Sequence, residues 1–273
     1  SMKETILYVD FMCMMHRAKT GFGEGEHYLQ FNFFRSFRAI VEQLKPTKIY
    51  VALEGHPTKR LQIDSSYKEN RKLDESDPEA ENKARIFYGQ VELTIELLKN
   101  YFPVTVARHP ALEADDVIAF LVRKSNKDAH NIILSTDKDY LQLVSEADNV
   151  SLYDPVRKRY LTPNPDIGSF LVWRALHGDV SDCIPKIVPD MLAIQASSDM
   201  DILNEILADQ EKSARFYKNI ELISFVSDVD FANVYYSTPQ KDWSAVILTF
   251  TQWKFNAILK SWPKFVATFE TLF

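Results

Sequence analysis

The sequence predicts an α/β protein, with a mostly parallel central sheet flanked by helices and a carboxyl-terminal helical subdomain. Over the first 155 residues, short apolar runs alternate with helical patterns, an order that favours a doubly wound parallel sheet. From about Asp166 onward the pattern is helical. The chain has 273 residues, 46% of them apolar, so it can bury a sizeable core. We therefore expect an α/β core at 2–165 and a helical subdomain at 166–273.

Five segments are predicted as strands. They are TILYVDFMC (5–13), KIYVALEG (48–55), FPVTVARH (102–109), NIILST (131–136) and VSLYD (150–154). Helical patterns are predicted at 29–43, 86–100 and 116–125. In parallel sheets, ligands bind outside the carboxyl ends of the strands. Asp10, Glu54, Asp137 and Asp139 all lie at or near such ends, so we expect their side chains to converge.

The segment 68–85 differs from its surroundings, because eleven of its eighteen residues are charged and Leu73 is its one large apolar residue. It can contribute little to a core, which predicts a mobile or projecting element. A solvated surface loop is the alternative. The cysteines, Cys13 and Cys183, are predicted as buried thiols rather than a disulfide or zinc pair.

The net charge of −6 argues at first sight against a nucleic-acid partner. The objection weakens if nine acids form one metal cluster, since the rest of the chain then carries +3. No run approaches eighteen apolar residues and no signal peptide is evident, so we expect a soluble intracellular protein without a membrane segment.

Acidic residues recur in short motifs that follow predicted strands or precede helices. The acids that we collect as candidate metal ligands are Asp10, Glu54, Glu113, Asp115, Asp116, Asp137, Asp139, Asp179 and Asp182. Helix capping explains one or two of the acids in LEADDVIAF, but not three. The pair in HGDVSDCIP also fits a turn or cap. Each motif alone is therefore weak.

Together these acids predict bound cations. Like charges a few Å apart repel by about 3–4 kcal/mol per pair at an effective dielectric near 20, which is hard to sustain without cations or raised pKa values. Oxygen ligands without histidines at ligand spacing favour Mg²⁺ or Mn²⁺ over zinc. Two such ions suit phosphodiester hydrolysis, in which they clamp the attacking and leaving oxygens.

The stretch SSYKENRK could supply positive charge to a scissile phosphate. Lys68 and Arg71 are spaced by three residues, so they share one face of a helix, and Tyr67 could stack on a base. The alternative is simply a basic start of a helix.

Several motifs occur in an order that resembles the 5′-nuclease, or flap endonuclease, family. They are VDF with HRA shortly after it, YKENR, EADD, STDKDYLQL and GDVSDCIP, and they cover about residues 5–190. Within this family the chain is most similar to the RNase H branch of T-even bacteriophages, on NVSLYDPVRKRYL and FYKNIELISF. The resemblance implies a metal-dependent 5′→3′ exonuclease and flap endonuclease with a PIN-like core.

The resemblance also implies roles for particular residues. The nine acids would be direct or water-mediated ligands of two Mg²⁺ (or Mn²⁺) ions. Tyr67, Lys68 and Arg71 would act in catalysis and, with Arg60 and Lys72, bind nucleic acid. A helical arch would lie at about 66–86, and a degenerate helix-hairpin-helix region at about 178–196.

The implied substrates are DNA with a 5′ flap or free 5′ end and RNA–DNA hybrids, as in RNA primer removal during phage replication. The protein would then act as a monomer in the cytoplasm of an infected bacterial host. The aromatic tail FVATFETLF is a candidate docking element for a sliding clamp or single-strand-binding protein, although packing of a terminal helix into the core is the stronger expectation.

Two positions depart from the family pattern. Glu54 stands where an aspartate is usual, and SDCIPKIVPDMLA lacks the glycine-rich hairpin, so K⁺ binding is not expected. Two other classes remain open: a nucleic-acid-binding replication scaffold with a weak site, and a metal-dependent phosphatase. The phosphatase would need an aspartate pair on the first strand, but Phe11 and Met12 follow Asp10.

Overall fold

A seven-stranded sheet forms the centre of the protein. The structure is a computed structural model that describes residues 3–21, 23, 25–71 and 76–272. Within them the strands are β1 (Thr5–Asp10), β2 (Lys48–Ala52), β3 (Thr105–Arg108), β4 (His130–Leu134), β5 (Val150–Asp154), β6 (Arg159–Leu161) and β7 (Tyr235–Tyr236). Their order across the sheet is β6-β5-β4-β1-β2-β3-β7. β1 to β5 are parallel, and β6 and β7 are antiparallel edge strands, which confirms the predicted fold class.

Helices cover the sheet and make up most of the chain after it. The helices of the described residues are α1 (Phe11–Thr20), α2 (Tyr28–Leu44), α3 (Thr58–Ile63), α4 (Pro78–Tyr101), α5 (Ala114–Arg123), α6 (Leu141–Glu146), α7 (Phe170–His177), α8 (Asp190–Ser198), α9 (Met200–Leu207), α10 (Gln210–Ile223), α11 (Trp243–Gln252), α12 (Asn256–Leu259) and α13 (Trp262–Phe269). None of them is both long and apolar enough to cross a membrane.

Several predicted boundaries differ from the structure, and two of them bear on the site. The first strand ends at Asp10 rather than at Cys13, because the residues after Asp10 begin α1. The helix predicted at 86–100 begins eight residues earlier. Its N-cap, Asp77, accepts hydrogen bonds from the backbone amides of Glu79 (3.1 Å) and Ala80 (3.2 Å), and proline occupies the first helical position. Residues 78–85 of the charged segment are therefore helical, and Lys72 lies outside the described residues.

One face of the sheet is covered by α1, α2, α4 and the last three helices. Aromatic rings fill this layer: Phe34 packs on Phe102 and Phe250, and Phe102 packs on Phe265 and Phe269. These rings are almost fully buried, and core packing of the aromatic tail is confirmed. In this conformation their side chains are not available to a docking partner.

The remaining helices form two further layers. α5, α6 and the segment 225–234 cover the other face of the sheet. Helices α7 to α10 build a separate apolar cluster with residues of α3. Because α11 to α13 pack on the sheet, the packing favours a helical subdomain limited to α7–α10. The division at residue 165 itself stays a prediction.

Candidate active site

An open cavity of about 900 Å³ lies at the carboxyl ends of the central strands. Asp10 is the last residue of β1, Glu54 follows β2 by two residues, and Asp137 follows β4 by three. Because β1 pairs in parallel with both β2 and β4, these ends meet at one edge of the sheet. The carboxylates therefore converge where the sequence predicted.

Two further elements complete the wall of the cavity. The start of α5 brings Glu113, its N-cap, and Asp115. The turn between α7 and α8 brings Asp179 and Asp182, and an antiparallel bridge between Asp179 and Ile184 closes that turn. Seven of the nine candidate acids line the cavity: Asp10, Glu54, Glu113, Asp115, Asp137, Asp179 and Asp182. One oxygen from each of Asp139, Asp179 and Asp182 also lies within 4.8 Å of the others.

Crowding of these carboxylates disfavours their ionised forms. Burial, with help from Asp137, raises the pKa of Asp10 to about 6. Burial and the charges of Asp10 and Glu113 raise the pKa of Glu54 to about 7. Burial and Asp139 raise the pKa of Asp137 to about 6. A bound cation would reverse each of these effects.

The donor set fits hard divalent cations. Asp115 has a buried Oδ1 with no hydrogen-bond partner among the described residues, and burial together with Asp116 raises its pKa well above the usual range. A buried, unpaired carboxylate oxygen is costly unless it meets a cation. Carboxylates are the most numerous charged groups of the lining, and their oxygens are ligands that Mg²⁺ and Mn²⁺ prefer.

Basic side chains bridge the acids across the cavity. Lys68 Nζ donates to Glu113 Oε1, and Arg71 donates to Asp182 Oδ1. The backbone at Lys68 is left-handed (φ 55°), and its N–H donates to the carbonyl of Asp182 at 3.1 Å. This hydrogen bond fixes the YKENR segment against the α7–α8 turn, so both predicted cations line the cavity.

Arg174 is a cation of this site that sequence reasoning missed. From α7, its guanidinium donates to Asp139 Oδ1 and Asp179 Oδ2, both at 2.7 Å. It belongs to an otherwise apolar helical pattern, FLVWRALH, which indicated only packing. The one available signal was its position five residues before Asp179.

Arg60 and Asp116 are engaged with each other in this structure, whereas the sequence predicted a nucleic-acid contact and a metal ligand. Arg60 is only 2% exposed, and its guanidinium donates to both oxygens of Asp116 (2.6 and 2.8 Å) and to Glu113 (2.6 Å). It also donates to the carbonyls of Leu222 and Ser224, which leaves nothing for nucleic acid. An oxygen of Asp116 lies within 4.8 Å of oxygens of Glu113 and Asp115. Both oxygens are nevertheless engaged by Arg60, so we assign Asp116 a structural role.

Tyr67 is also buried, which contradicts its expected stacking on a base in this conformation. Its side chain is 6% exposed and its hydroxyl donates to Glu113 Oε2 at 3.0 Å. Although burial favours the neutral acid, Lys68 and Arg60 hold the pKa of Glu113 below its usual range. Tyr67 therefore orients a carboxylate that is kept ionised.

The raised pKa of Asp10 predicts a pH-dependent penalty on folding. The folded state holds this proton up to about pH 6, whereas the unfolded chain releases it near 3.8, so stability falls as pH rises between the two values. Without metal, Asp10→Asn should therefore raise the free energy of unfolding by about 3 kcal/mol at pH 7.5 and by about 1 kcal/mol at pH 4.5. Urea unfolding in EDTA measures both values. Equal effects at the two pH values would contradict this assignment.

The fold and the cavity define an α/β protein with a carboxylate-lined site suited to divalent metal ions. Residues 5–166, more than half of the chain, match the family model of the 5′-3′ exonuclease, N-terminal resolvase-like domain. The chain therefore belongs to this family, as its motifs predicted.

Similar proteins support the same placement. A 5′-3′ exonuclease of Aquifex aeolicus is 31% identical over 196 residues, covering 68% of this chain and 64% of that protein. A DNA polymerase I of Synechocystis is 29% identical over 220 residues, covering 71% of this chain and 20% of the polymerase. The chain thus spans less than two thirds of these relatives.

A solved structure has the same fold. The D15 protein of bacteriophage T5, co-crystallised with metal ions, matches with a TM-score of 0.65 at 19% identity, covering 81% of this chain and 89% of that one. This match confirms the architecture.

Proposed function

We propose that the protein is a metal-dependent 5′ nuclease that hydrolyses phosphodiester bonds near the 5′ ends of DNA or RNA–DNA, including 5′ flaps. The observation that carries the proposal is the convergence of seven carboxylates in one open cavity with Lys68 and Arg71 on its wall. Membership of the 5′-3′ exonuclease family supports the reaction class. Structures of T5 flap endonuclease with DNA and metal ions, and of T5 5′-exonuclease with zinc, support the substrate class and the use of divalent ions.

Each group of the cavity has a chemical task in this proposal. The seven lining acids would hold two divalent ions, which we propose to be Mg²⁺ or Mn²⁺; Asp139 would act next to them. When bound, such ions would activate water for attack and offset charge on the phosphate. Lys68 and Arg71 attract and orient the scissile phosphate by charge-assisted hydrogen bonds. Arg174 positions Asp139 and Asp179. K⁺ is not part of the proposal, since the α7–α8 loop after Gly178 contains no glycine.

The biological setting is a finer part of the same proposal. We propose removal of RNA primers in phage replication, by a monomer in the cytoplasm of an infected bacterium. The resemblance to the phage RNase H branch supports it. A sliding clamp or a single-strand-binding protein would have to bind elsewhere than the buried aromatic tail.

One assay separates the proposed nuclease from the two alternatives. The protein is incubated with a 5′-flapped duplex and an RNA-primed duplex, in Mg²⁺, in Mn²⁺ and in EDTA. Short 5′ products that require metal support the nuclease. Binding without cleavage supports a scaffold, and hydrolysis of a small phosphomonoester alone supports a phosphatase. Either of the last two results overturns the proposal.

Lys68→Ala should slow cleavage by about 10²–10³-fold, because it removes one positive group aimed at the phosphate. Binding of flap DNA should weaken only modestly, since Arg71 remains. Single-turnover rates and binding titrations on one substrate measure the two effects. Lys127→Ala is the matched control: it removes the same charge from an exposed loop just before β4, at the opposite ends of the strands. Equal rates for the two variants would contradict the role of Lys68.

A further inference from the structure

Tyr88 is an exposed aromatic side chain at the mouth of the active-site cavity. It belongs to α4, is 53% exposed and lines the same cavity as Asp10, Lys68 and Arg71. About half of its surface is open to solvent, so the ring is accessible to a ligand that enters the cavity. Its position beside the phosphate-binding cations suggests a ligand-facing role.

Two other tyrosines of this region cannot offer a free ring face. Tyr67 is buried against Glu113, and Tyr140, which also lines the cavity, is 1% exposed. The imidazole of His16 is stacked on Phe87, with ring centroids 5.1 Å apart. Tyr88 contacts Phe87 with ring centroids 5.3 Å apart and an interplanar angle of 70°, so the two rings are not stacked face to face.

Tyr88 also joins two concave surfaces. A second, more open cavity of about 520 Å³ runs along the first turns of α4, lined by Pro78, Glu81, Asn82, Ala84, Arg85 and Tyr88. Among the described residues, Tyr88 is the one that lines both cavities. A strand that ran from the first cavity into the second would pass beside this ring.

We infer that Tyr88 is a positioning residue that stacks on a nucleobase next to the scissile phosphate. The inference rests on the proposed nuclease function and reassigns the stacking role that the sequence gave to Tyr67. Stacking tolerates any base, because every base has a π face, so this contact fixes the position of the strand rather than its sequence. Holding the neighbouring base holds the phosphate over the carboxylates and Lys68.

Removing the aromatic ring of Tyr88 should lower the efficiency of cleavage. Tyr88→Ala should lower kcat/KM on a 5′-flapped duplex by about 10- to 100-fold. Tyr88→Phe and Tyr88→Trp should retain most of the activity, because they keep an aromatic face. Tyr217→Ala, which removes an equally exposed tyrosine (58%) from α10, should cleave at the wild-type rate. Equal rates for Tyr88→Ala and wild type would overturn the inference alone, and a wild-type protein without cleavage would overturn the nuclease function with it.

A second substrate series distinguishes stacking from a structural role. Each substrate of the series carries one abasic site, which lies at one of the two nucleotides on the 5′ side of the cut or at one of the two on its 3′ side. At the position that Tyr88 contacts, the abasic site should slow wild-type cleavage but not slow Tyr88→Ala further, because the partner of the ring is already missing. A purely structural role predicts the same loss for Tyr88→Ala on every substrate. That result would overturn the inference.

Discussion

Asparagine in place of Asp115 should reduce metal-dependent cleavage by at least about 10³-fold, because it removes a carboxylate that would hold the proposed ions. The variant should not be less stable than the wild-type protein when no metal is bound. Among the described residues, one buried oxygen of Asp115 has no hydrogen-bond partner, and the pKa of Asp115 is raised, so its charge is unfavourable when no cation is bound. Asparagine has almost the same shape and carries no charge. Without metal, the free energy of unfolding at pH 7.5 should therefore rise by about 1 kcal/mol or more.

Single-turnover cleavage and urea unfolding in EDTA test the two halves of this expectation. Asp201→Asn is the matched control, since Asp201 is exposed on α9 and does not line the cavity. It should change neither quantity. If Asp115→Asn kept the wild-type rate, or if it unfolded more easily than wild type in EDTA, the assignment of Asp115 to the metal site would be wrong.

Arg60→Met should destabilise the protein by about 3–5 kcal/mol, the usual cost of breaking a buried ion pair. Its guanidinium is the common partner of Glu113, Asp116 and two backbone carbonyls near the end of α10. Methionine fills similar space but removes the counter-charge of buried Asp116 and leaves Glu113 paired with Lys68 alone. The loss should appear as a lower urea midpoint with an unchanged slope.

A surface ion pair provides the comparison. Arg123→Met breaks the exposed pair with Glu146 and should cost about 0–1 kcal/mol. In addition, the double variant Arg60→Met with Asp116→Asn should lose less stability than the two single variants together, because each removes the partner of the other. Additive losses would show that Arg60 and Asp116 do not act as a pair.

Strand periodicity and the acid motifs were sufficient to predict the central sheet and most of the site. A parallel sheet places the ends of β1, β2 and β4 together, so the convergence of Asp10, Glu54 and Asp137 followed from topology alone. The edge strands β6 and β7 escaped prediction because strands of three and two residues carry too little periodic signal.

The different roles of neighbouring charged residues could not be predicted from the sequence. In the sequence, Asp115 and Asp116 are equivalent neighbours on a helix start. Only the fold directs Asp115 into the cavity and Asp116 toward Arg60, more than fifty residues away in the chain. The burial of Tyr67 is likewise set by Glu113 and the α3 region, which sequence spacing does not bring together.

The aromatic layer beneath the sheet bears on how the chain folds during synthesis. Phe34 and Phe102 are made early, but the rings that cover them, Phe250, Phe265 and Phe269, belong to helices near residue 270. Helices α1, α2 and α4 cover part of this face early, but at translation speeds of about 5–20 residues per second the part that α11 to α13 cover stays exposed for roughly 10–30 s. A ribosome that stalls before α11 would thus leave a large hydrophobic surface exposed. Chaperones and proteases recognise such surfaces.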